Sequence, residues 1–296
     1  MTQENTYSRG IVMSGAGMLI LSPDGLLLRL ISDASTWDVI FYRALFTTLT
    51  LGVYLFFKEP RSLPAIFGNF GRSGWIATFL MTASTLSFVG AIANTSVANT
   101  LVLVATMPFF SAILGWLFIG EAVKPRTWVS IFLALTGIFV IFSGSFGEGN
   151  WLGDFLAILT ALLQGLNLVV LRNARERNLT IPSLGLSGVL AALVVLPFAH
   201  PMAVGLADLS YLALMGFVIV PVSLVLFLGG ARYAPAAEVA LLALVETVLG
   251  PFWAWIGVGE VPSQMALVGG GIVISAIFLN AWLGMHDNHR AQRVGA

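Results

Sequence analysis

The chain has no cysteine among its 296 residues, so disulfide bonds, thiolate metal sites and cysteine nucleophiles are excluded. Charged residues are also scarce, at 9% of the chain, whereas soluble domains average about 25%. The 14 Lys and Arg residues equal the 14 Asp and Glu residues in number and form no basic run, which argues against a nucleic-acid partner. This composition is not that of an ordinary soluble protein.

Long apolar blocks separated by short polar breaks make up most of the sequence, and 58% of the residues are hydrophobic. A helix needs about 20 apolar residues to cross a bilayer, and ten blocks approach that length. The polar N-terminus lacks a cleavage site of small residues, so the first block is expected to stay uncleaved. We predict an all-α integral membrane protein with ten transmembrane helices, called spans 1 to 10, at residues 10–31, 38–57, 74–93, 97–119, 127–144, 152–171, 182–199, 209–230, 237–257 and 264–284.

The Lys and Arg residues outside these spans predict the orientation in the membrane. When the sides alternate from the N-terminus, twelve of them fall on one side and none on the other. Positively charged loops stay in the cytoplasm. We therefore expect a multi-pass membrane protein with both termini in the cytoplasm.

The sequence also contains an internal duplication. Residues 95–121 superpose without a gap on residues 234–260 at a constant offset of 139. Five spans in each half is an odd number, so the second half must cross the membrane in the opposite direction. We predict two inverted five-helix repeats, 1–146 and 147–296, around a central cavity, because inverted repeats place a substrate path between the halves.

Glu246 lies near the middle of span 9. A carboxylate at that depth costs at least ~2.5 kcal/mol on insertion scales, so it is expected to face protein or water rather than lipid. We interpret Glu246 as lining the cavity. A buried structural pair and a protonated acid bonded to a neighbouring helix remain as alternatives. Glu238 lies in the first turn of the same span, where the helix dipole favours an anion.

Further polar side chains lie on shared helix faces of spans 3 and 6, and others lie within span 4. They could bind a polar solute, or they could form hydrogen bonds between helices worth about 0.6 kcal/mol each. Three aromatic residues could supply apolar walls or ordinary packing. The candidate cavity-lining residues, besides Glu246, are Thr82, Thr85, Phe88, Asn99, Gln164, Asn167, Phe227 and Trp253.

Span 1 is interrupted by Pro23, which lacks a backbone N–H and kinks a helix. Asp24 follows it at about 10 Å below the outer surface, at a rise of ~1.5 Å per residue. Arg43 on span 2 reaches a similar depth, so we predict an Asp24–Arg43 ion pair, since opposite charges at one level cost less together. The pair could brace spans 1 and 2, engage a charged substrate group, or switch between states.

No catalytic residues, metal site or cofactor are expected. The sequence Gly-Leu-Ser-Gly at 185–188 matches a pattern of intramembrane serine proteases, but such a protease needs a histidine within hydrogen-bond reach on another span. His200, His286 and His289 all lie outside the spans or at their ends. We interpret the match as chance.

Three features resemble a known family: the segment Phe41–Arg43, the Gly-Glu pairs at 120–121 and 259–260, and the small-residue helices that follow each pair. With them the chain resembles the drug/metabolite transporter superfamily, in its EamA-type ten-helix branch, and most of all the YddG-type bacterial amino-acid exporters. It departs from the pattern where Pro108 has Thr247 as its counterpart in the second half. The resemblance implies that spans 1, 3, 4, 6, 8 and 9 line the cavity, and it implies export of neutral amino acids, aromatic ones included.

We therefore expect a secondary transporter that moves a small-molecule amino-acid substrate across the lipid bilayer by alternating access, with a monomer as the working assembly. The alternatives are a transporter of drugs or organic cations, a transporter of nucleotide sugars, an intramembrane enzyme and a purely structural protein. A nucleotide sugar needs Lys or Arg in the cavity to meet phosphate, and only Arg29 and Arg43 fall inside spans.

Overall fold

The computed structural model describes residues 3–58, 70–94, 97–142, 151–174, 178–259 and 264–294. All regular secondary structure in these ranges is helical. In chain order the α-helices are α1 (Gln3–Leu21), α2 (Asp24–Leu30), α3 (Thr36–Lys58), α4 (Gly71–Asn94), α5 (Val97–Val104), α6 (Met107–Ile119), α7 (Pro125–Phe142), α8 (Trp151–Asn173), α9 (Thr180–Val195), α10 (Leu206–Leu214), α11 (Val220–Gly230), α12 (Ala236–Leu242), α13 (Leu244–Val258) and α14 (Gln264–Val294). A 3-10 turn, Pro201–Ala203, precedes α10, and a π-helical segment, Met215–Ile219, joins α10 to α11.

Seven helical segments of the described chain are long and apolar enough to cross a membrane. Three shorter apolar helices, Met107–Ile119, Pro125–Val140 and Thr180–Val195, fall within or close to the predicted spans 4, 5 and 7. Span 4 does not form one long helix, because it is divided between α5 and α6. The seven long segments are Thr6–Leu28, Thr36–Phe57, Gly71–Ala91, Trp151–Asn173, Leu206–Gly230, Ala236–Gly257 and Leu267–Gly284.

Three predicted spans are interrupted in mid-course. Span 1 breaks between α1 and α2, where Pro23 has no N–H to donate. Span 4 breaks between α5 and α6, just before Pro108. Span 9 breaks at Ala243 without a proline at the break, and the Ala243 N–H donates to the Ala240 carbonyl over 3.1 Å. Irregular backbone at membrane depth is tolerated where protein buries it or where it lines a water-filled cavity.

The short helix α12 lies at the centre of the bundle, and all seven of its residues are buried. Its alanines, such as Ala236 and Ala240, let neighbouring helices approach closely. The helix α13 leaves this core, and its residues Trp255 and Ile256 are exposed on the outer surface. The break at Ala243 therefore marks the point where span 9 passes from the protein interior towards the periphery.

Hydrogen bonds to Glu238 connect the ends of several helices, and we call this set of residues the Glu238 cluster. The Tyr7 hydroxyl donates to Glu238 Oε2 over 2.5 Å. Arg126 donates to Glu238 Oε1 over 3.1 Å and to the Leu283 carbonyl over 3.3 Å. This cluster joins the beginnings of spans 1, 5 and 9 to the end of span 10.

A second set of bonds, the Glu121 cluster, holds further helix ends. Arg172 Nε donates to Glu121 Oε1 over 3.0 Å, and the Ala236 N–H donates to Glu121 Oε2 over 3.2 Å. Arg172 also donates to the Arg232 carbonyl over 3.0 Å. The ends of spans 4, 6 and 8 thereby meet the beginning of span 9.

The Asp208 cluster joins a different set of helix ends. Asp208, in the first turn of α10, accepts hydrogen bonds from the backbone N–H groups of Ser32, Asp33 and Ala34 at 3.2, 2.8 and 2.9 Å. At the beginning of span 2, Asp38 accepts a hydrogen bond from the His200 N–H over 2.6 Å. The end of span 1 and the beginning of span 2 are thus fixed to the end of span 7 and the beginning of span 8.

Gly17 allows α1 and α11 to pack closely, and we expect Gly17→Ala to destabilise the protein by about 1–3 kcal/mol, as overpacked core substitutions do. A Cβ atom at Gly17 would lie 2.5 Å from the Ser223 carbonyl oxygen and 2.7 Å from the Phe227 nitrogen. A Cβ atom at Gly15, on the same helix, would meet no neighbouring side chain or helix within 4 Å in the described part of the chain, so Gly15→Ala is the matched control. Thermal unfolding in detergent measures both, and equal midpoints for the two variants would contradict this packing.

Candidate functional site

The candidate site lies where the interrupted span 1 meets the interrupted span 9. The helix α13 contacts both α1 and α2, and its approach to α2 is close: a Cβ atom on Gly257 would lie 2.5 Å from Leu26 side-chain atoms. Asp24 is the first residue of α2, and Glu246 lies in the first turn of α13. Each acid therefore follows directly after a break in its span.

Asp24 and Arg43 form an ion pair at this junction. Arg43 Nη2 donates to Asp24 Oδ2 over 2.9 Å, linking α3 to α2. Asp24 is only 5% exposed, and its second oxygen, Oδ1, has no hydrogen-bond partner among the described residues. The Arg43 side chain is 23% exposed. The acid is therefore the buried member of the pair, and half of its hydrogen-bonding capacity is unused.

Glu246 belongs to the same charged group, which we call the Asp24–Arg43–Glu246 group. Its carboxyl is partly buried and interacts electrostatically with both Asp24 and Arg43. Negative charges on Asp24 and Glu246 repel each other, whereas the Arg43 guanidinium attracts both. Buried charges are stable only with partners, so this group is suited to receive a positively charged group.

Trp253 fastens α13 to the break in span 1. Its indole Nε1–H donates to Ser22 Oγ over 2.8 Å, and Ser22 Oγ in turn donates to the Leu19 carbonyl over 2.7 Å. Trp253 lies seven residues after Glu246, about two helical turns, and so on the same face of α13. The sequence indicated an apolar wall or ordinary packing for Trp253, and the bond to Ser22 fixes its ring at the break in span 1.

The two threonines of span 3 make their own contacts. The Thr82 hydroxyl donates to the Thr78 carbonyl over 3.0 Å and to the Ser187 carbonyl of α9 over 3.3 Å. The Thr85 hydroxyl donates to the Met81 carbonyl over 3.0 Å. Both hydroxyls thus bond to backbone carbonyls, and one of these bonds ties α4 to α9.

The polar pair of span 6 has a different setting on α8. Asn167 is buried, and its Oδ1 has no hydrogen-bond partner in the described part of the chain. Gln164 is partly buried. An unsatisfied buried amide oxygen is rare in native structures, which makes Asn167 a further candidate for contact with a polar solute.

Two of the remaining candidates, Phe88 and Phe227, have apolar surroundings. Phe88 packs against a small apolar cluster that includes Ile40 and Val195. Phe227 is buried in the main core, and its carbonyl accepts a hydrogen bond from Ser14 over 2.9 Å. Asn99 lies in α5, but its side chain is outside the described residues. The structure thus pairs Asp24 with Arg43, bonds Trp253 to Ser22 at the break before Asp24, and leaves Glu246 within electrostatic reach of the ion pair.

Two sets of residues were missed by the sequence analysis. Ser22 was not among the candidate site residues, although a hydroxyl beside a proline break can accept a hydrogen bond from a neighbouring helix. Tyr7 and Arg126 were not linked to Glu238, which was interpreted as a helix-end anion. The predicted topology could have linked these three residues, because it places all of them at the beginnings of spans on the same side of the membrane.

Comparisons with known proteins agree with this architecture. The model of the EamA-like transporter family matches the chain twice, over residues 9–143 and 151–282. Uncharacterized transporter YdfC of Bacillus subtilis (strain 168) is 26% identical over 187 residues, and the chain spans 59% of that protein's length with 59% of its own. A solved crystal structure, described only as that of a protein, has the same fold with a TM-score of 0.77 at 12% identity, covering 93% of this chain and 98% of the other. Because the family model covers nearly all of both halves, the chain belongs to the EamA-like transporter family.

Proposed function

We propose that this membrane transporter exports neutral amino acids, including aromatic ones, from the cytoplasm by alternating access. The observation that carries the proposal is the Asp24–Arg43–Glu246 group at the junction of two interrupted helices. Discontinuous helices near the midplane form the substrate sites of many secondary transporters. A zwitterion needs groups of both signs within a few ångströms, and this junction supplies them. Gln164 and Asn167 on α8 would add neutral hydrogen bonds.

The arrangement of helix ends supports ten crossings with both termini on the cytoplasmic side. The Glu238 and Glu121 clusters join the beginnings of spans 1, 5 and 9 to the ends of spans 4, 6, 8 and 10. Alternating crossings would place all of these ends on the Lys- and Arg-rich side. The Asp208 cluster and the Asp38–His200 bond join only ends that belong on the opposite side.

The breaks in spans 4 and 9 support two inverted five-helix repeats. Span 9 breaks at Ala243, and subtracting the offset of 139 gives Val104, the last residue of α5 before the break in span 4. The two family matches divide the chain in the same way. Equivalent breaks in oppositely directed halves would let one half rock against the other and open the junction to each side in turn.

The proposed topology predicts the labelling of single cysteines, since the natural chain has none. In intact cells, Gly205→Cys should react with a membrane-impermeant maleimide, whereas Lys124→Cys should react only after the membrane is permeabilised. Both residues are exposed and lie between helices. Labelling of both from the same side would contradict the alternation of spans between these two positions.

Counterflow in proteoliposomes tests the proposed substrate class. Vesicles loaded with an unlabelled amino acid should accumulate the same labelled amino acid when they contain the protein, and phenylalanine should be among the active substrates. Protein-free vesicles provide the background. A panel of neutral and aromatic amino acids without any counterflow above background would contradict amino-acid export.

Export of organic cations is the second candidate function, and the two acids of the Asp24–Arg43–Glu246 group, together with Trp253, favour it. Transport of nucleotide sugars has less support, because Arg43 is already paired with Asp24 and phosphate would need a free cation. Organic amines and nucleotide sugars, added to the same counterflow panel, distinguish these two alternatives from amino-acid export. The proposal places the protein as a monomer in the bacterial inner membrane, and neither a nucleic-acid partner nor enzymatic catalysis forms part of it.

A further inference from the structure

Asp24 has one occupied and one unoccupied oxygen. Oδ2 accepts from Arg43 over 2.9 Å, while Oδ1 has no partner among the described residues although Asp24 is 5% exposed. A buried ionised oxygen without a donor is costly. Such an oxygen at a proposed transport site is a ready acceptor for a donor that arrives with the substrate.

The charges around Asp24 define the sign of that donor. Arg43, on α3, already bonds to Oδ2, and Glu246, on α13, is a second acid within electrostatic reach, so that negative charges on Asp24 and Glu246 repel each other. One incoming positive group would offset this repulsion. An incoming anion would instead add to it.

The geometry points to a subsite for a primary ammonium group at Asp24 Oδ1, with Glu246 of the adjacent helix α13 as a second acid near it. An ammonium group carries three N–H donors, so one of them can bond to Oδ1 and leave two for other acceptors. The Trp253 ring, fastened to Ser22 beside the break, offers an aromatic neighbour of the kind that favours cations.

This subsite rests on the proposed function in one respect only, namely that an amino acid is the source of the ammonium group. It assigns Asp24 and Glu246 to the amino group of the substrate and leaves the exposed part of Arg43 for the carboxylate. Removal of the substrate carboxylate should therefore preserve binding better than removal of the amino group does.

Equilibrium binding of labelled phenethylamine to the full-length protein in lipid nanodiscs tests the assignment without any transport step. The wild-type protein should bind this amine saturably, and unlabelled 3-phenylpropionate should displace it at least ~10-fold less effectively than unlabelled phenethylamine does. Asp24→Asn should weaken amine binding about 10-fold or more, the size of one lost charge-assisted hydrogen bond.

Arg43→Gln is the discriminating variant, because it breaks the same ion pair but leaves Asp24 charged. It should bind the amine at least as tightly as the wild type. Glu121→Gln breaks a comparable ion pair, with an N–O distance of 3.0 Å, away from the subsite, and should change amine binding by less than about 2-fold. Equal weakening in Asp24→Asn and Arg43→Gln would show a purely structural pair and overturn the subsite.

Two further outcomes separate this inference from the proposed function. Competition by sodium that depends on Asp24 would assign the oxygen to a metal cation and overturn the ammonium subsite, even if amino acids are transported. Amine binding that depends on Asp24, in a protein without amino-acid counterflow, would uphold the subsite and contradict amino-acid export. Absence of saturable amine binding to the wild-type protein would also overturn the subsite.

Discussion

Glu246→Gln protein is expected to exchange amino acids at about one tenth to one hundredth of the wild-type rate. The substitution keeps the size of the side chain and its ability to form hydrogen bonds, but the amide cannot ionise to balance a positively charged substrate group at the junction of spans 1 and 9. A hydrogen bond to a charged group contributes about 1.5–3 kcal/mol, which corresponds to that range of rates. Counterflow of labelled phenylalanine in proteoliposomes measures the change.

Glu246→Asp serves as the matched control, because it retains the charge and shortens the side chain by one methylene. We expect it to keep more exchange activity than Glu246→Gln does, with both proteins unfolding at similar temperatures. Wild-type exchange in Glu246→Gln would contradict a role for this carboxylate in substrate binding. A large fall in unfolding temperature for Glu246→Gln alone would instead assign the carboxylate to structure.

Arg126→Met is expected to cause the largest loss of stability, about 3–5 kcal/mol in the free energy of unfolding, as for other broken buried pairs. The Glu238 side chain is 3% exposed and the Arg126 side chain 10% exposed. Without the guanidinium, the carboxylate keeps the hydrogen bond from the Tyr7 hydroxyl, but that bond does not balance its charge. The midpoint of thermal unfolding in detergent should fall on the order of 10 °C.

The double variant Arg126→Met/Glu238→Met controls for this effect, since it removes both charges together. A buried ion pair replaced on both sides by apolar residues is often near neutral, so the double variant should recover most of the lost stability. The interaction energy from the double-mutant cycle is the deciding quantity. Strictly additive losses from Arg126→Met and Glu238→Met would contradict a buried pair as the source of the instability.

The sequence predicted best those features of the fold that the surrounding lipid requires. Hydrocarbon demands long apolar helices, so the apolar blocks predicted helices, and seven of the resulting segments are long and apolar enough to cross a membrane. Pro23 predicted the interruption of span 1, because a missing N–H is a local property of the residue. Arithmetic on depth placed Asp24 and Arg43 at one level, and the structure has their charged atoms 2.9 Å apart.

The remainder depended on contacts between distant segments. No proline or glycine lies next to Ala243, so the local sequence did not predict the break there. The break lies where span 9 leaves the buried core, between α12 and α13. The bond from Trp253 to Ser22 joins residues 231 positions apart, and the sequence around neither residue predicts this contact. Thr82 shows the converse: its helical spacing placed it on a candidate face, but its hydroxyl bonds to the carbonyls of Thr78 and Ser187.

The most direct test of the central claim is the reactivity of a cysteine placed at Glu246 in this naturally cysteine-free chain. The claim is that this position faces a water-filled path shared by the two halves. Glu246→Cys should react with a small hydrophilic thiosulfonate in membranes, whereas Phe252→Cys, at a 43% exposed position on a different face of the same helix, should not. Equal lack of reaction at both positions would place residue 246 away from water and contradict the account.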